Sequence, residues 1–478
     1  MAETKVKHRS VEERIAKGKG CRKKMPVSSS TGWGPAPDRP DPVALLEEQN
    51  HTREPDLVPV RHGRMLVSPF TFYRGAAKIM AADLKDTPRA GLITQLCGDA
   101  HLSNFGVFAS PERTLLFDLN DFDETLPGPF EYDVRRLSAS FTIAARNNAF
   151  TQEQTRDVTL AAVRAYREAM AQFAQMRTLD IWYARLSEEQ LLETINLAVS
   201  TQKGKALKRA AQGMEKKARA NVAKAHSRDS LQALSKLAEI VDGKYRIVSQ
   251  PPIVIPAREL GDTFGMSPDE VEHAIRGQLR SYRATLPDDR RHLLERFEII
   301  DIARKVVGVG SVGTRAFIAL LQGRDQQDPL FLQVKEATRS VLEDHLPKSK
   351  FKQPGERVVQ GQRMMQAASD IFLGWTKGAQ ENRYLYWRQL RDMKGSAIVE
   401  GMKPLGMTLY ANACGWTLAR AHARSGDAVA MVAYLGKSDK FDVATTDFSE
   451  RYADQNDRDY QAFADAVRSG RLEAIEGL

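Results

Sequence analysis

Residues 97–133, CGDAHLSNFGVFASPERTLLFDLNDFDETLPGPFEYD, decide how the rest of the chain is interpreted. Within them Asp99 and Asn104 stand five positions apart, and a run at 114–117 has the composition and length of a strand. The loop after that run carries three carboxylates, those of Asp118, Asp121 and Asp123. One carboxylate can orient an attacking hydroxyl group while an amide and a second carboxylate hold Mg²⁺, which prefers oxygen ligands and keeps several waters. The stretch therefore predicts a catalytic loop.

The spacing resembles the catalytic loop of the protein-kinase-like superfamily, in particular that of aminoglycoside and choline kinases. In those enzymes H-G-D is followed by four residues, an Asn and a strand that ends in I-D-F. The resemblance implies that Asp99 orients the acceptor hydroxyl group. It also implies that Asn104 and Asp121 bind magnesium, with Asp123 as a further ligand. Asp118, at the end of the strand, is a competing choice for Asp121.

The segment GPFEYD at 128–133, followed by Val134 and Leu137, is similar to the G-D-P-x-x-D-L-A segment of the same superfamily. The resemblance implies that its last carboxylate, Asp133, braces the catalytic loop. Cys97 stands where the family usually has His. That position is structural in the family, so this departure concerns the packing of the loop and not its chemistry.

A purely structural explanation of these side chains competes with the catalytic one, because Asp and Asn are frequent turn formers and helix caps. One D-x-x-x-x-N alone would favour the structural explanation. Five positions matched in order, on a loop and at a strand end, favour a phosphotransfer-type site. His101 is expected to be a satisfied hydrogen-bond partner in a supporting role rather than a catalytic group.

A second informative segment contains the spacing G-x-G-x-x-G, formed by Gly308, Gly310 and Gly313. Strand-like runs follow at 316–321 and 330–334, and the second run ends in Lys335. This order resembles the phosphate lid and the strand-three lysine of kinases, whereas a dinucleotide fingerprint would need a helix directly after the glycines. The resemblance implies that the glycines and Lys335 contact the nucleotide phosphates. It also implies that Glu343 pairs with Lys335, with Glu356 as the rival.

The remaining kinase-like parts follow this segment. Runs at 371–376 and 383–390 predict a strand pair, and residues 389–391 would form a hinge. The helical sequence YANACGWTLARAHARSGD, which includes His422, resembles the L-A-x-L-H helix that runs directly into the H-G-D loop of aminoglycoside kinases. Here it comes after that loop, so the order of the motifs is rotated. The prediction is an α+β, two-lobed, circularly permuted protein-kinase-like fold whose small β-rich lobe follows a large helical lobe. Beyond residue 55 the chain as a whole resembles the bacterial domain-of-unknown-function family 2252.

The predicted organisation has four parts. They are a basic, disordered arm at 1–55, the catalytic loop and helical large lobe at 56–300, the nucleotide-binding small lobe at 301–395, and helices returning to the large lobe at 396–478. The arm is rich in basic residues, Pro, Gly, Ser and Asp, and has few large apolar side chains to bury. In the large lobe, Thr151 with Gln154 predicts one helix start and Ser267 with Pro268 predicts another.

Basic residues are numerous, and the net charge of +9 suits acidic ligands such as nucleotides. Arg61, Arg64 and Arg74 lie among aromatic residues, where packing on aromatic faces is the commoner role and phosphate binding is the alternative. The segment 203–228 is densely basic and predicts a solvated pair of helices, so nucleic-acid binding is not expected.

Cysteine content and hydropathy indicate the cellular compartment in which the protein is expected. The chain has 3 cysteines in 478 residues, too few for a disulfide framework or a zinc site. It contains no run of about 18 apolar residues. A cytoplasmic protein without membrane association is expected.

The sequence therefore predicts an ATP- and magnesium-dependent phosphotransferase that acts on a hydroxyl group of a small molecule or a protein. One alternative is a nucleotide-binding pseudokinase or nucleotidyl transferase that uses the same pocket, and another is a basic nucleic-acid-binding scaffold. Retention of Asp99 argues against the pseudokinase, and the lack of alternating aromatic and basic residues argues against the scaffold. Neither the acceptor nor the oligomeric state is predicted, because acceptor pockets lie in the variable helical lobe.

Overall fold

The computed structural model describes six stretches of the chain, residues 8–200, 205–259, 268–306, 308–378, 382–390 and 393–477. The fold is mixed α and β with antiparallel sheets. Within these stretches, no helix is both long enough and apolar enough to cross a membrane.

Helices are numbered in chain order within the described stretches. The helices up to residue 200 are α1 Val11–Lys24, α2 Pro42–Asn50, α3 Val58–Leu66, α4 Pro69–Gly75, α5 Ala77–Leu84, α6 Glu131–Asn147, α7 Gln152–Phe173, α8 Thr178–Tyr183 and α9 Glu188–Ser200. The helices that follow are α10 Lys205–His226, α11 Ser230–Leu237, α12 Pro268–Arg283, α13 Asp288–Leu294, α14 Pro354–Met365, α15 Pro404–Ala423, α16 Ala428–Leu435 and α17 Lys440–Arg468.

Strands are numbered in the same way. The first seven are β1 Ile93–Leu96, β2 Phe105–Ala109, β3 Leu115–Leu119, β4 Leu126–Pro129, β5 Leu186–Ser187, β6 Ala238–Val241 and β7 Lys244–Ile247. The next seven are β8 Val254–Pro256, β9 Glu298–Lys305, β10 Ala316–Gln322, β11 Pro329–Glu336, β12 Gly374–Lys377, β13 Tyr384–Gln389 and β14 Gly395–Ser396.

Among the described residues, the largest sheet is antiparallel with 6 strands in the order β12-β13-β11-β10-β9-β8. The strand runs predicted at 316–321 and 330–334 are confirmed as β10 and β11. The predicted strand pair is confirmed as β12 and β13. Because β8 and β9 also join this sheet, the boundary predicted at residue 300 is wrong, and the sheet already begins at Val254.

Both faces of this sheet are covered, which explains its nearly continuous apolar strands. Ile318 packs with Leu234 of α11 on one face. Ala319 belongs to the buried cluster on the opposite face, which also contains Tyr282 of α12. Since successive side chains of a strand point to opposite faces, a strand buried on both faces is apolar at nearly every position.

Helices α7 and α15 form a closely packed pair in the helical part of the molecule. Gly415 of α15 allows this approach, because a Cβ there would lie 2.3 Å from the carbonyl oxygen of Ala162 in α7. The apolar stripe of α7 is buried and consists of Val163, Tyr166, Met170 and Phe173. The helix pair is therefore part of the core.

The N-terminal segment is folded, and the prediction of a disordered arm at 1–55 is wrong for its described residues. Helix α1 packs on α16, where a Cβ on Gly18 would lie 2.1 Å from the carbonyl oxygen of Ala430. Helix α2 packs on α17 and α5 and buries Val43 and Leu46. The N-terminal segment therefore packs through the short apolar stripe of α2 and the close glycine contact of α1, although it has few large apolar side chains.

Other local predictions have mixed outcomes. The capping box of Thr151 and Gln154 at the start of α7 is confirmed. Helix α12 is described from Pro268, whereas Ser267 and residue 391 of the predicted hinge lie outside the described residues. The predicted pair of basic helices is wrong in the described part, where residues 205–226 form the single helix α10.

Candidate active site

The stretch 97–133 contains the strands β2, β3 and β4 and the loop that follows β1. Strand β1 pairs with β4, and β2 forms a hairpin with β3. Residues 97–101 connect β1 to a short 3₁₀ helix, Leu102–Asn104, that precedes β2. Gly98 has a φ of +86°, and a Cβ there would lie 2.2 Å from the carbonyl oxygen of Glu124. Only glycine fits this left-handed, closely packed position.

Asp133 ties the loop to the start of α6. Its carboxylate accepts hydrogen bonds from the backbone N–H groups of Cys97 at 2.8 Å and of Gly98 at 3.0 Å. His422 of α15 lies with Nε2 3.2 Å from the same carboxylate, although it is 289 positions away in sequence. Nδ1 of His422 lies 2.8 Å from the hydroxyl group of Tyr166. Because a carboxylate only accepts, Nε2 donates and Nδ1 accepts from Tyr166.

Asp99 is held by a residue that the sequence did not single out. The Nε–H of Arg136 donates to Asp99 Oδ1 at 2.7 Å, and the guanidinium of Arg136 lies 3.9 Å from the ring centroid of Tyr73. The Arg136 side chain is 3 % exposed and that of Asp99 is 20 % exposed. One oxygen of Asp99 is therefore fixed by a buried cation, while the carboxylate keeps access to solvent.

Asn104 lies beside Asp99. Its side-chain amide nitrogen donates to the carbonyl oxygen of Asp99 at 2.7 Å. The backbone carbonyl oxygen of Asn104 accepts from the backbone N–H of Asn120 at 2.9 Å, which links the loop to the end of β3. The amide nitrogen is thus committed, and the amide oxygen of Asn104 is the atom that suits a cation.

His101 is a buried structural group. Its Nδ1 accepts from the backbone N–H of Ser103 at 3.2 Å and caps the 3₁₀ helix. Burial, together with the positive charges of Arg136 and Arg74, holds the pKa of His101 well below its usual value. Nε2 lies 3.8 Å from Asp99 Oδ2, too far for a hydrogen bond. A neutral supporting side chain results.

The acidic loop after β3 meets Lys335 of β11. Lys335 Nζ lies 2.5 Å from Asp123 Oδ2 and 4.0 Å from Asp121 Oδ1. The hydroxyl group of Tyr386 donates to Asp123 Oδ1 at 2.7 Å. Burial opposes ionisation, but Lys335 and Tyr386 outweigh it and lower the pKa of Asp123. Residues 212 positions apart therefore form one charged cluster.

Glu343 does not pair with Lys335, so that prediction is wrong. Its carboxylate accepts from the backbone N–H groups of Ser340 at 3.1 Å and Ser349 at 3.2 Å. Ser340 and Glu343 form a capping box on a 3₁₀ helix, and the spacing S-x-x-E was the signal for it. The rival, Glu356, lies in the first turn of α14. The carboxylate paired with Lys335 is that of Asp123.

Asp118 is structural, which leaves the partly exposed Asp121 and Asp123 as the candidate magnesium-binding aspartates of this loop. Asp118 is fully buried within β3. It forms an ion pair with Arg420 of α15 and accepts from the backbone N–H of Ala367 at 2.8 Å. The side chains of Asp121 and Asp123 are 31 % and 28 % exposed.

The glycine turn at 308–313 packs against residues that precede the loop at 97–104. Gly308 and Gly313 have φ values of +70° and +87°. The backbone N–H of Glu54 donates to Gly313 O at 2.7 Å, and Arg64 Nη1 donates to Gly308 O at 2.5 Å. A Cβ on Gly310 would lie 3.0 Å from the carbonyl oxygen of Arg74. The turn is thus fastened to helices α3 and α4 and to the residues before them.

The oxygen donors in this region fit magnesium. Among the described residues, no group of three or more His, Cys, Asp or Glu side chains is placed to hold a metal ion. Asn104, Asp121 and Asp123 form a sparser set, which suits Mg²⁺ because this ion takes one or two carboxylates together with phosphates and waters. Burial and the negative charge of Asp123 raise the pKa of Asp121. A bound cation would relieve that repulsion.

Comparison with known proteins places the chain in a family. Neither a curated protein nor a solved structure matches it. One family model, described as "Uncharacterized protein conserved in bacteria (DUF2252)", matches residues 53–466. The match includes the predicted catalytic loop, the acidic loop, the glycine turn, Lys335 and His422, and it leaves out α1 and α2. The chain belongs to the DUF2252 family of uncharacterized bacterial proteins.

Proposed function

We propose that this protein is an ATP- and magnesium-dependent phosphotransferase that acts on a hydroxyl group of a small molecule or a protein. The observation that carries the proposal is the cluster of Lys335 with Asp123 at 2.5 Å and Asp121 at 4.0 Å, beside the loop that holds Asp99 and Asn104. Phosphoryl transfer needs a cation for the phosphates, oxygen ligands for magnesium and a carboxylate for the acceptor. The cluster and the loop supply all three.

The arrangement of the sheet supports a protein-kinase-like fold. Counted from β9, the glycine turn lies between the first and second strands, Lys335 lies on the third, and α14 precedes the next strand. Protein kinases place the glycine loop, the strand-three lysine and the following helix in this order.

Two contacts support a circularly permuted order. His422 near the end of α15 reaches the carboxylate that holds the catalytic loop. The hydroxyl group of Ser425, just beyond α15, accepts from the backbone N–H of Gln95 in β1 at 2.9 Å. The end of α15 therefore lies where a direct connection into the loop would begin.

In the proposed reaction Lys335 binds the nucleotide phosphates, and Asn104, Asp121 and Asp123 would hold magnesium. Magnesium, when bound, neutralises charge on the phosphoryl oxygens. The acceptor oxygen bonds to phosphorus as the bond from phosphorus to the β-phosphate oxygen of ATP breaks. ADP leaves with that electron pair, and the acceptor proton passes to Asp99 and then to solvent. Arg136 fixes the orientation of Asp99 through the contact at 2.7 Å.

A second candidate is a nucleotide-binding pseudokinase or nucleotidyl transferase. It is favoured by one observation, the salt bridge of Asp99 to buried Arg136, which commits one of the two carboxylate oxygens. Phosphoryl transfer needs only the other oxygen for the acceptor, and for that reason we rank it first.

Nucleotide binding by the full chain tests the proposal. Thermal melts with ATP, ADP and magnesium should show stabilisation, about 2.7 kcal/mol when the ligand is at a hundred times its dissociation constant. Lys335→Ala should remove the phosphate-dependent part of the shift and Asp121→Asn the magnesium-dependent part. Phosphate incorporation from labelled ATP into cell metabolites and lysate proteins then separates transfer from binding alone. The absence of any nucleotide-dependent shift in the native protein would refute the proposal.

A further inference from the structure

The last turn of α4 lies between the glycine turn and Asp99. On one side, the carbonyl oxygen of Tyr73 accepts from Arg136 Nη2 at 2.8 Å, and the Nε–H of the same guanidinium donates to Asp99 at 2.7 Å. On the other side, the carbonyl oxygen of Arg74 is 3.0 Å from the place where a Cβ on Gly310 would lie. Residues 73 and 74 thus contact both the glycine turn and the side chain that holds Asp99.

The guanidinium of Arg74 has unused hydrogen-bonding capacity. Its Nε is buried and has no hydrogen-bond partner among the described residues. The group lies 5.9 Å from the ring centroid of Phe70, which offers no acceptor oxygen. Burial lowers the pKa of Arg74, while the charges of Glu400 and Asp99 oppose that effect. A desolvated guanidinium with an unpaired N–H is unfavourable until an anion pairs with it.

Arg74 differs from the other cationic side chains of the candidate site, each of which is paired with a carboxylate or a carbonyl oxygen. Lys335 is paired with Asp123, and Arg136 with Asp99. Buried Arg53 donates to the carbonyl oxygen of Val312 in the glycine turn. The backbone of Arg74 lies beside the turn, and the negative charge of Asp99 acts on its guanidinium. An anionic group bound by Arg74 would therefore lie near the acceptor.

We propose that Arg74 is a catalytic residue that binds the terminal phosphoryl group of the nucleotide next to Asp99. This inference rests on the proposed function. The group transferred must approach the acceptor at Asp99, so its oxygens are the ones nearest Arg74. A guanidinium fork matches phosphoryl oxygens in pairs, and an arginine supplied in cis stabilises the charge of the transition state.

The test compares affinities for ATP and ADP, each with magnesium, by calorimetry on the full chain. Arg74→Met should weaken ATP binding by about 10-fold to 100-fold, the value of one or two charge-assisted hydrogen bonds, and change ADP binding by less than about threefold. Arg74→Lys, which keeps the charge, should be intermediate. Arg64→Met is the matched control, because it removes an equal charge from a side chain that contacts the glycine turn. The control should not change the ratio of the two affinities.

Equal losses of ATP and ADP binding in Arg74→Met would overturn the proposal, because Arg74 would then support the fold or the inner part of the nucleotide. Unchanged ATP binding would overturn it as well. If the native protein binds neither nucleotide, the proposed function fails, and magnesium tripolyphosphate becomes the probe for Arg74. Loss of its binding in Arg74→Met would then support a phosphate ligand, and undiminished or absent binding would overturn it. Melting temperatures without ligand show whether each variant is folded.

Discussion

Replacing Asp133 by Ala should lower the free energy of unfolding by about 4 kcal/mol. The carboxylate is 1 % exposed and holds Cys97 N at 2.8 Å, Gly98 N at 3.0 Å and His422 Nε2 at 3.2 Å. Each buried donor left without a partner costs about 1–3 kcal/mol, so three donors give a range of about 3–9 kcal/mol. Local relaxation and entry of water favour the lower part of that range.

Equilibrium unfolding in urea, followed by tryptophan fluorescence, measures the effect. Asp133→Asn keeps one acceptor oxygen and should lose about half as much stability. Asp427→Ala is the control, because Asp427 caps α16 by accepting from Ala430 N at 3.1 Å. Loss of a helix cap costs about 1 kcal/mol. If Asp133→Ala loses no more stability than Asp427→Ala, the carboxylate does not hold the loop and the reasoning is refuted.

Three further outcomes are expected. Burial raises the pKa of Glu124 from 4.5 to about 7. The unfolded chain therefore ionises first, and native stability should fall between pH 4.5 and 7 by up to about 3 kcal/mol. In thermal melts at different pH values, Glu124→Gln should not show this decline in stability. If the stability of the native protein and of the variant changes with pH in the same way, the prediction is contradicted. Asp118→Ala should lower the free energy of unfolding by about 3–5 kcal/mol, because it leaves buried Arg420 without its ion pair. Melts with and without magnesium should show the same loss. A small loss of stability together with loss of the magnesium-dependent shift would assign the metal-binding role to Asp118 instead of Asp121. Asp99→Ala should keep the shift caused by ATP and magnesium and reduce transfer about a hundredfold or more, whereas loss of binding as complete as in Asp121→Asn would show that the roles are misassigned.

Local signals in the sequence were sufficient for the strands and for part of the site. Apolar runs of strand length marked β3, β10 and β11, since strands buried on both faces cannot alternate with polar residues. Asp99 and Asn104 stand five positions apart, so their proximity follows from chain connectivity, whereas the resemblance to kinases implies the bracing role of Asp133. The neighbouring position of Lys335 depended on the resemblance to kinases and not on any local pattern.

The residues that were missed or misassigned depend on contacts distant in sequence. Arg136 lies on the buried face of α6, and nothing in the sequence distinguishes it from a surface arginine until Tyr73 and Asp99 are placed around it. Glu343 was assigned by analogy with a helix partner, although its own spacing from Ser340 indicated a capping box. The N-terminal segment was judged by its lack of large apolar residues, but its packing relies on the absence of a side chain at Gly18.

The fastening of the glycine turn has a kinetic consequence. The turn is joined to Glu54 and Arg64 by hydrogen bonds of 2.7 Å and 2.5 Å. In the proposed function, the turn can move away from the nucleotide only by breaking these bonds or by carrying α3 and α4 with it. Because Tyr73 of α4 also holds the guanidinium that positions Asp99, such a movement would release that carboxylate at the same moment. Release of ADP and restoration of the acceptor site would then occur together. The residence time of ADP and the turnover rate should therefore change together when these hydrogen bonds are altered.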